Sequence, residues 1–324
     1  MTTGPDKIQS VALKCLISDL IGGHVRALSR AISIVENELS GAAEILTAIR
    51  DHPSHATVVG ITGPPGAGKS TLVSALVAAI RLKNMRVAVL AVDPSSPLTG
   101  GAILGDRVRM QSHTDDSQVY VRSIASRGHL GGLFRTVWGV LRVMEASGSD
   151  FIIIETVGAG QSEVEIAHYA DVSIVLCAPG LGDDIQAMKA GILEIADIFV
   201  VNKSDHPLAR NTVTQLQAML ALRNSELDPV AVIPTIATDG SGVPSLLQQI
   251  EQVKAASPKP RVAIRERSRR LLADAAIALV RTHLMSVDDP MIADLCNRME
   301  RREIDPTAAA AEWLDARAKD KELR

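Results

Sequence analysis

Hydrophobic residues change their spacing along the chain near residue 55. From residue 8 to about residue 50, apolar positions such as Leu28, Ile32 and Val35 recur three or four residues apart, and the spacing restarts after Gly41. A helix returns to the same face with this period, so the first part of the chain is predicted to be helical. Farther along, short β-branched runs alternate with amphipathic stretches, which indicates a different architecture.

Short apolar runs recur through the second part of the chain, at residues 58–62, 87–92, 119–121, 151–154, 172–176, 198–201 and 230–233. Nearly continuous apolar runs of this kind are typical of strands buried on both faces of a parallel sheet. The stretch 131–147 carries its apolar residues on one helical stripe. This alternation predicts an α/β fold with a doubly wound, mostly parallel sheet over about residues 55–255.

The chain beyond a linker at Ser257–Pro260 is predicted to be helical. One long helix extends to about Leu284, and the pairs Asp289-Pro290 and Asp305-Pro306 are typical of an N-cap followed by a first-turn proline. The predicted domains are therefore a helical N-terminal extension (1–54), the α/β domain (55–256) and a helical C-terminal arm (257–324). The arm is either a small helical bundle or a segment that packs on another subunit.

The amino-acid composition limits the kinds of molecule that the protein is expected to bind. The chain has 34 Lys and Arg against 37 Asp and Glu, a formal charge of −3, and only 2% aromatic residues. We therefore expect no binding to nucleic acid or to anionic membranes. The dispersed Cys15, Cys177 and Cys296 are expected to be reduced thiols in the core. With neither a signal peptide nor a membrane span in the pattern, a cytoplasmic protein is expected.

The sequence GPPGAGKS, from Gly63 to Ser70, matches the phosphate-binding loop (P-loop) pattern GxxxxGK[ST]. It follows the predicted strand 58–62 and begins a helix, the context in which backbone amides and a helix N-terminus bind phosphate. Lys69 is expected to reach the β- and γ-phosphates, and Ser70 to supply a hydroxyl to Mg²⁺. This predicts a P-loop NTPase with phosphate-binding residues Gly63, Pro64, Gly66, Ala67, Gly68, Lys69, Ser70 and Thr71.

The segment Asn202-Lys203-Ser204-Asp205 matches the NKxD box of guanine-nucleotide-binding proteins and follows the predicted strand 198–201. A carboxylate at Asp205 can accept hydrogen bonds from both N1–H and the 2-amino group of guanine, a pair of donors that adenine lacks. Farther along, Ala237 occupies the place of a residue whose backbone contacts guanine in many GTPases. The predicted guanine site is Asn202, Lys203, Asp205 and Ala237, and a plain turn is the alternative at Ala237.

Magnesium requires hard oxygen ligands, and three acids are candidates besides Ser70: Asp93, Asp106 and Glu155. Asp93 and Glu155 follow predicted strands, so they should meet near the P-loop at the carboxyl ends of the sheet. Asp106 joins them only if the loop 94–112 folds over the phosphates. A solvated acid is the alternative for each.

The segment Glu155-Thr156-Val157-Gly158 resembles the DxxG element of GTPases, with Glu in the place of Asp. The glycine amide of such a loop senses the γ-phosphate, and the loop is released after hydrolysis. Gln161 and Glu163 follow, and either can orient water. The polar face of a helix explains these two residues equally well.

Four segments, in this order, identify a family resemblance: Ala91-Val92-Asp93-Pro94-Ser95-Ser96-Pro97, Gly105-Asp106-Arg107-Val108-Arg109-Met110, Glu155-Thr156-Val157-Gly158-Ala159-Gly160-Gln161-Ser162-Glu163 and Gly182-Asp183-Asp184-Ile185-Gln186. The chain closely resembles the MeaB/MMAA (ArgK-type) G-protein chaperones of adenosylcobalamin-dependent acyl-CoA mutases. The resemblance extends over about residues 24–255.

The resemblance implies a dimeric GTPase of the SIMIBI class, with a C-terminal dimerisation arm, that uses Mg²⁺ and binds GTP or GDP. It implies a mutase partner, such as methylmalonyl-CoA mutase, whose adenosylcobalamin loading the protein gates and whose damaged cofactor it helps to expel, without binding cobalamin itself. Asp106 and Arg109 correspond to switch I, and residues 155–163 to switch II. A further switch that responds to the mutase corresponds to the segment containing Asp183, Gln186 and Lys189.

Departures from the family pattern at Pro65, Ala67, Ala159 and Ala190 affect loop stiffness more than chemistry. The sequence does not identify the client mutase, and a hydroxyisobutyryl-CoA or isobutyryl-CoA mutase is an alternative to methylmalonyl-CoA mutase. Two other functions share the nucleotide site: a SIMIBI metallochaperone GTPase for metalloenzyme maturation, and an ArgK-type kinase.

Overall fold

The computed structural model describes residues 5–53, 55–93, 115–125, 132–156, 166–180, 195–221, 230–256, 261–286 and 289–319.

The N-terminal extension consists of three helices, α1 (Pro5–Ile21), α2 (Val25–Glu36) and α3 (Ala42–Ala48). The predicted break at Gly41 is present, but a second break separates α1 from α2. It falls at Gly23, whose φ of 76° lies in the left-handed region that glycine adopts without strain.

Within the described residues, the central domain is built on one sheet of seven strands. They are β1 (Thr57–Thr62), β2 (Val87–Asp93), β3 (Val119–Ala125), β4 (Phe151–Thr156), β5 (Val172–Cys177), β6 (Ile198–Val201) and β7 (Ala231–Pro234). The order across the sheet is β3-β2-β4-β1-β5-β6-β7, and every pairing is parallel. Strands β1, β4, β5 and β6 are buried at every position, which confirms the prediction from continuous apolar runs.

Helices α4 (Lys69–Arg81), α5 (Gly132–Ala146), α6 (Ala209–Ala221) and α7 (Val243–Ala256) alternate with the strands. Buried side chains of α4 and α7 form one core with alternate positions of the strands, among them Val59, Ile61 and Ile153. Helix α5 instead packs against α2 of the extension, close enough at Gly139 that an added Cβ would lie 2.7 Å from a methyl group of Val35.

The register of the sheet brings three predicted site segments to one edge. Glu155 of β4 pairs with Ile61 of β1 on one side and with Ala91 of β2 on the other. The carboxyl ends of these parallel strands therefore lie side by side, and Asp93 is the last residue of β2. Crevices at the carboxyl ends of parallel strands are where such sheets bind ligands.

The chain divides into two compact units, residues 1–269 and 270–324. After α8 (Arg261–Ser286), the second unit contains α9 (Pro290–Glu300) and α10 (Pro306–Lys319). Trp313 is buried at 4% exposure and packs with Leu295 and Ala309, so these helices share a small core of their own. The domain boundaries drawn from the sequence stay predictions, as does packing of the arm on another subunit.

Both predicted N-caps of the second unit are present. A carboxylate oxygen of Asp289 accepts a hydrogen bond from the Met291 amide at 2.9 Å. Asp305 accepts from the amides of Thr307 and Ala308 at 2.8 and 3.0 Å. Each carboxylate satisfies amides that the first helical turn leaves without intrahelical partners.

We expect Asp289→Ala to destabilise the second unit at neutral pH, because it removes the cap of α9 and an ion pair with Arg317. The Met291 amide and Arg317 hold the pKa of Asp289 below its usual range. This stabilisation is therefore present above the ordinary carboxyl pKa and is lost as pH falls through the lowered one. Urea titrations monitored by Trp313 fluorescence, in a Trp138→Phe background, test this: the variant should unfold at lower urea at pH 7, and the difference should shrink in acid.

Two further expectations concern cysteines and membranes. All three cysteines are free, but only Cys177 is buried, so the prediction of core thiols is wrong for Cys15 and Cys296. These two cysteines lie at exposed positions of the helices α1 and α9. No helix in the described segments combines the length and the apolar character needed to span a bilayer.

Candidate nucleotide-binding site

The P-loop connects β1 to α4 and encloses the side chain of Lys69. That side chain is only 7% exposed, and its Nζ donates hydrogen bonds to the carbonyl oxygens of Gly63 at 2.7 Å and Pro64 at 3.0 Å. The ammonium group therefore lies over the loop whose amides the sequence assigns to phosphate. Thr71 follows in the first turn of α4, and its side chain is exposed.

Gly68 is required by both conformation and space. Its φ is 94°, and a Cβ there would lie 2.4 Å from Nδ2 of Asn202. This close approach carries Asn202, 134 positions farther along the chain, directly against the P-loop. A side chain at residue 68 would separate the phosphate loop from the predicted base-binding segment.

Asn202 connects three loops through a buried set of hydrogen bonds. Its Nδ2 donates to the carbonyl oxygen of Ala67 at 2.9 Å. Its Oδ1 accepts from the amide of Ala237 at 3.0 Å and from the hydroxyl of Thr235 at 3.3 Å. Asn202 is 2% exposed and Thr235 is fully buried, so the network fixes the P-loop, the NKxD segment and the 235–237 loop relative to one another.

Lys203 and Asp205 lie at the surface of the same corner. Lys203 adopts a left-handed φ of 55°, and its Nζ donates to the carbonyl oxygen of Gly66 at 2.9 Å. The amide of Ser204 donates to the carbonyl oxygen of Thr235 at 3.0 Å. Asp205 is exposed. These contacts hold the segment beside the P-loop, with Asp205 at the surface.

The predicted metal ligands Ser70 and Glu155 are in direct contact. Ser70 Oγ donates to Glu155 Oε1 at 2.7 Å, and Glu155 is only 3% exposed. A hydroxyl that donates its hydrogen keeps its oxygen lone pairs for a cation, and hydroxyl and carboxylate oxygens are what Mg²⁺ prefers. Next to them, Thr156 Oγ1 donates to Thr62 Oγ1 at 3.0 Å, which ties the end of β4 to the start of the P-loop. These residues fit a magnesium ion.

The structure describes little of the remaining predicted residues. Only the backbone position of Asp93, at the end of β2, is described. The other predicted metal, switch and catalytic residues lie outside the described residues: Asp106, Arg109, Gly158, Gln161, Glu163, Asp183, Gln186 and Lys189. Among the positions that are described, no three His, Cys, Asp or Glu side chains gather as a metal-binding group.

Comparison with known proteins places this chain in a family. The sequence profile of "Methylmalonyl Co-A mutase-associated GTPase MeaB" matches residues 28–288. The chain belongs to the MeaB family. A putative GTPase of Pyrococcus horikoshii is 40% identical over 306 residues, which cover 91% of this chain and 95% of that protein. Since the family and its named relatives are GTPases, this MeaB-family chain is a GTP hydrolase.

Two other similarities are more distant. A mouse protein named "Methylmalonic aciduria type A homolog, mitochondrial" is 36% identical over 247 residues, which cover 70% of this chain and 60% of that protein. The crystal structure titled "LAO/AO transport system kinase" superposes with a TM-score of 0.69, covering 95% of this chain and 98% of that one. At 24% sequence identity, that superposition shows the shared P-loop fold.

Sequence reasoning missed two contributors to the site, Thr235 and the pair Thr62 and Thr156. Thr235 precedes the Ala237 that the sequence singled out, and its hydroxyl bonds Asn202. In the sequence, a threonine here is explained equally well as the residue that follows an apolar strand. Only the fold therefore shows that its hydroxyl contacts Asn202. A polar residue ending each of two neighbouring strands was the available signal for Thr62 and Thr156.

We expect Asn202→Ala to cost this MeaB-family protein about 2–4 kcal/mol of unfolding free energy, because it leaves the buried groups of Ala67 and Ala237 without partners. Urea denaturation of the nucleotide-free protein measures the loss directly. Asn37→Ala is the matched control: its exposed amide donates to the Ser33 carbonyl, and we expect a change within about 0.5 kcal/mol. Equal stability of both variants would contradict a structural role for Asn202.

Proposed function

We propose that this MeaB-family GTPase is a chaperone for an adenosylcobalamin-dependent acyl-CoA mutase, and that it gates cofactor loading and protects or reactivates the mutase. The observation that carries the proposal is the buried network of Asn202, which joins the phosphate loop to the segment predicted to bind guanine. A family description that names the methylmalonyl-CoA mutase supports the choice of partner. Methylmalonyl-CoA mutase and related hydroxyisobutyryl-CoA or isobutyryl-CoA mutases are the candidate clients.

In the proposed reaction, GTP lies with its phosphates on the loop 63–70 and its base against Asp205. Water attacks the γ-phosphate in line, and the products are GDP and phosphate. The Lys69 ammonium, close to the Gly63 and Pro64 carbonyls, turns to the phosphate oxygens and stabilises the charge that develops on them. Lys203 keeps the loop in place through its hydrogen bond to the Gly66 carbonyl.

Ser70 and Glu155 would hold the magnesium ion, and Asp93 and Asp106 are the further proposed ligands. Bound Mg²⁺ supplies neutralising charge at the β- and γ-phosphates. The hydrogen bond from Ser70 to Glu155 orients the hydroxyl oxygen before any ligand arrives, so this part of the site is preorganised.

The switch residues Arg109, Gly158, Gln161, Glu163, Asp183, Gln186 and Lys189 are proposed to respond to the γ-phosphate and to the mutase. We expect the isolated protein to hydrolyse GTP slowly, well below the ~10 s⁻¹ of a median enzyme, and the partner to complete the site. The proposal includes a cytoplasmic homodimer that does not itself bind cobalamin, nucleic acid or membranes.

A pull-down of the full-length protein from its native cytosol tests the proposal. Tagged protein loaded with GDP or with a non-hydrolysable GTP analogue is used as bait, and bound proteins are identified by mass spectrometry. We expect a cobalamin-dependent acyl-CoA mutase whose recovery differs between the two nucleotides. Recovery of a hydrogenase or urease subunit, together with tight nickel or zinc binding, would replace the proposal with metalloenzyme maturation. Transfer of γ-³²P to a protein instead of to free phosphate would indicate a kinase.

A further inference from the structure

The carboxyl ends of β1 and β4 are joined by a side-chain hydrogen bond just beyond their backbone ladder. The ladder between these two strands ends at the pair Ile61 and Glu155. One position farther, the hydroxyl of Thr156 donates to Thr62 Oγ1 at 3.0 Å, and the two residues are 2% and 1% exposed. At this level, Thr62 is paired with β5 and Thr156 with β2. The threonine pair therefore continues the contact between β1 and β4 to the point where the P-loop begins.

The threonine bond and the bond from Ser70 to Glu155 hold the end of β4 from opposite faces of the sheet. Successive side chains of a strand point to opposite faces, so Glu155 and Thr156 lie on different sides. Glu155 faces the first turn of α4, where Ser70 donates to its Oε1 at 2.7 Å. The threonine pair lies on the other face, where Gly60 packs closely against Ile166. Hydrogen bonds on both faces thus fix the distance between the P-loop and Glu155.

The length of the threonine bond matters for a cation that Ser70 and Glu155 would hold. The two hydroxyl oxygens lie 3.0 Å apart, whereas two methyl carbons are in optimal contact at about 3.5–4.0 Å. Valines in place of both threonines therefore press the ends of the two strands apart by about 0.5–1 Å. Magnesium demands near-ideal octahedral geometry with oxygens at about 2.0–2.1 Å, so a displacement of this size weakens its binding.

We infer that Thr62 and Thr156 are positioning residues that set the spacing between the P-loop and Glu155, and thereby the affinity of the nucleotide site for Mg²⁺. This inference rests on the proposed magnesium site of Ser70 and Glu155. Thr62 immediately precedes Gly63 of the P-loop, and Thr156 immediately follows Glu155. Both hydroxyls are covered and bonded to each other, so they act through their neighbours and not by touching the metal ion. Replacing residues that orient metal ligands typically costs about 10–100-fold in metal affinity.

The double variant Thr62→Val/Thr156→Val tests the inference in the full-length protein. It removes both hydroxyls and keeps the shape of both side chains, so no buried group loses its partner and we expect stability close to that of the parent. Release of fluorescently labelled GDP, followed over a series of Mg²⁺ concentrations, measures metal binding without any hydrolysis. GDP should leave more slowly when Mg²⁺ is present, because the metal joins its phosphates to the protein. We expect the half-saturating Mg²⁺ concentration for this slowing to rise about tenfold in the double variant.

Thr57→Val is the matched control on the same strand. It makes the same change at the opposite, amino end of β1, where the buried hydroxyl oxygen of Thr57 accepts from Lys254 at 2.7 Å. Loss of that hydrogen bond affects stability but not the spacing at the P-loop, so we expect the parent response to Mg²⁺. The release of labelled GDP in EDTA should be the same in the parent, the control and the double variant, because Lys69 and the P-loop are unchanged.

A pair of single variants covers the case in which the double variant does not fold. Thr156→Ser keeps the hydroxyl, and its response to Mg²⁺ should lie much closer to the parent than that of Thr156→Val. Equal responses of these two variants would overturn the inference. An unchanged response of a folded double variant, or an equal shift from Thr57→Val, would do the same.

These outcomes separate the inference from the proposed function. If the pull-down recovers no mutase while the double variant requires more Mg²⁺, the chaperone proposal fails and the inference stands. If a mutase is recovered and the double variant responds to Mg²⁺ like the parent, the inference fails and the chaperone proposal stands. If Mg²⁺ does not slow the release of GDP from the parent, the proposed magnesium site fails and the inference fails with it.

Discussion

Lys69→Ala should abolish most GTP hydrolysis, with a fall in turnover of about 10²–10³-fold, the usual cost of removing one group that stabilises transition-state charge. The Lys69 ammonium lies over the P-loop at 2.7 Å from the Gly63 carbonyl, so it is already close to where phosphate oxygens are proposed to bind. At 7% exposure it is largely shielded from water, which strengthens its interaction with a phosphate. Release of phosphate, measured under saturating GTP, gives the effect on turnover.

The control for this variant is Lys83→Ala. Lys83 lies just beyond the opposite end of α4, where it pairs with Glu251, and both side chains are about two-fifths exposed. Loss of an exposed ion pair costs little stability, and this one is remote from the P-loop. We therefore expect parent-like hydrolysis from Lys83→Ala. If Lys69→Ala retains more than about a tenth of the parent turnover while folded, the site assignment of Lys69 is wrong.

The sheet could be predicted from sequence because a strand that is buried on both faces consists of consecutive apolar residues, a pattern that is visible in the local sequence. Continuous apolar runs mark each strand, and the P-loop identifies the edge at which ligands bind. Strand β3 shows the limit of this reasoning, since it extends to Ala125 and the apolar run ends at Val121. The next residue, Arg122, binds Ser33 and Glu36 of α2. The apolar run is interrupted there because Arg122 faces a polar partner on a distant helix, which the local sequence does not show.

The residues of the candidate site could be predicted from sequence, but the hydrogen bonds that join them could not. The NKxD and P-loop motifs name Asn202, Lys69 and Ser70, because each motif is local. The bond from Asn202 to Ala67 spans 135 positions, and the bond from Ser70 to Glu155 spans 85. Such contacts depend on strand order, which no single motif encodes.

Asp205→Asn should change the base that the site prefers. Guanine would lose two charge-assisted hydrogen bonds, each worth about 1.5–3 kcal/mol, so GTP affinity should fall by at least about a hundredfold. The new side-chain amide opposes the 2-amino group of guanine but can donate to the 2-oxo group of xanthine. Xanthosine triphosphate should therefore bind the variant more tightly than GTP does, whereas the parent shows the reverse order. Competition titrations with GTP, xanthosine triphosphate and ATP measure the affinity of the parent and the variant for each nucleotide.

Asp51→Asn is the matched control for this change in base preference. Asp51 is an exposed acid in the N-terminal extension that pairs with Arg50 on the surface, so the same substitution there removes an equal charge without touching the site. We expect the control to keep the parent preference for GTP. The direction of the change in base preference at Asp205 matters more than its size. A substitution that merely loosened the loop would weaken the binding of all three nucleotides together. Weaker binding of GTP without any gain for xanthosine triphosphate would therefore indicate a structural role for Asp205 and would remove the basis for guanine selectivity in this site.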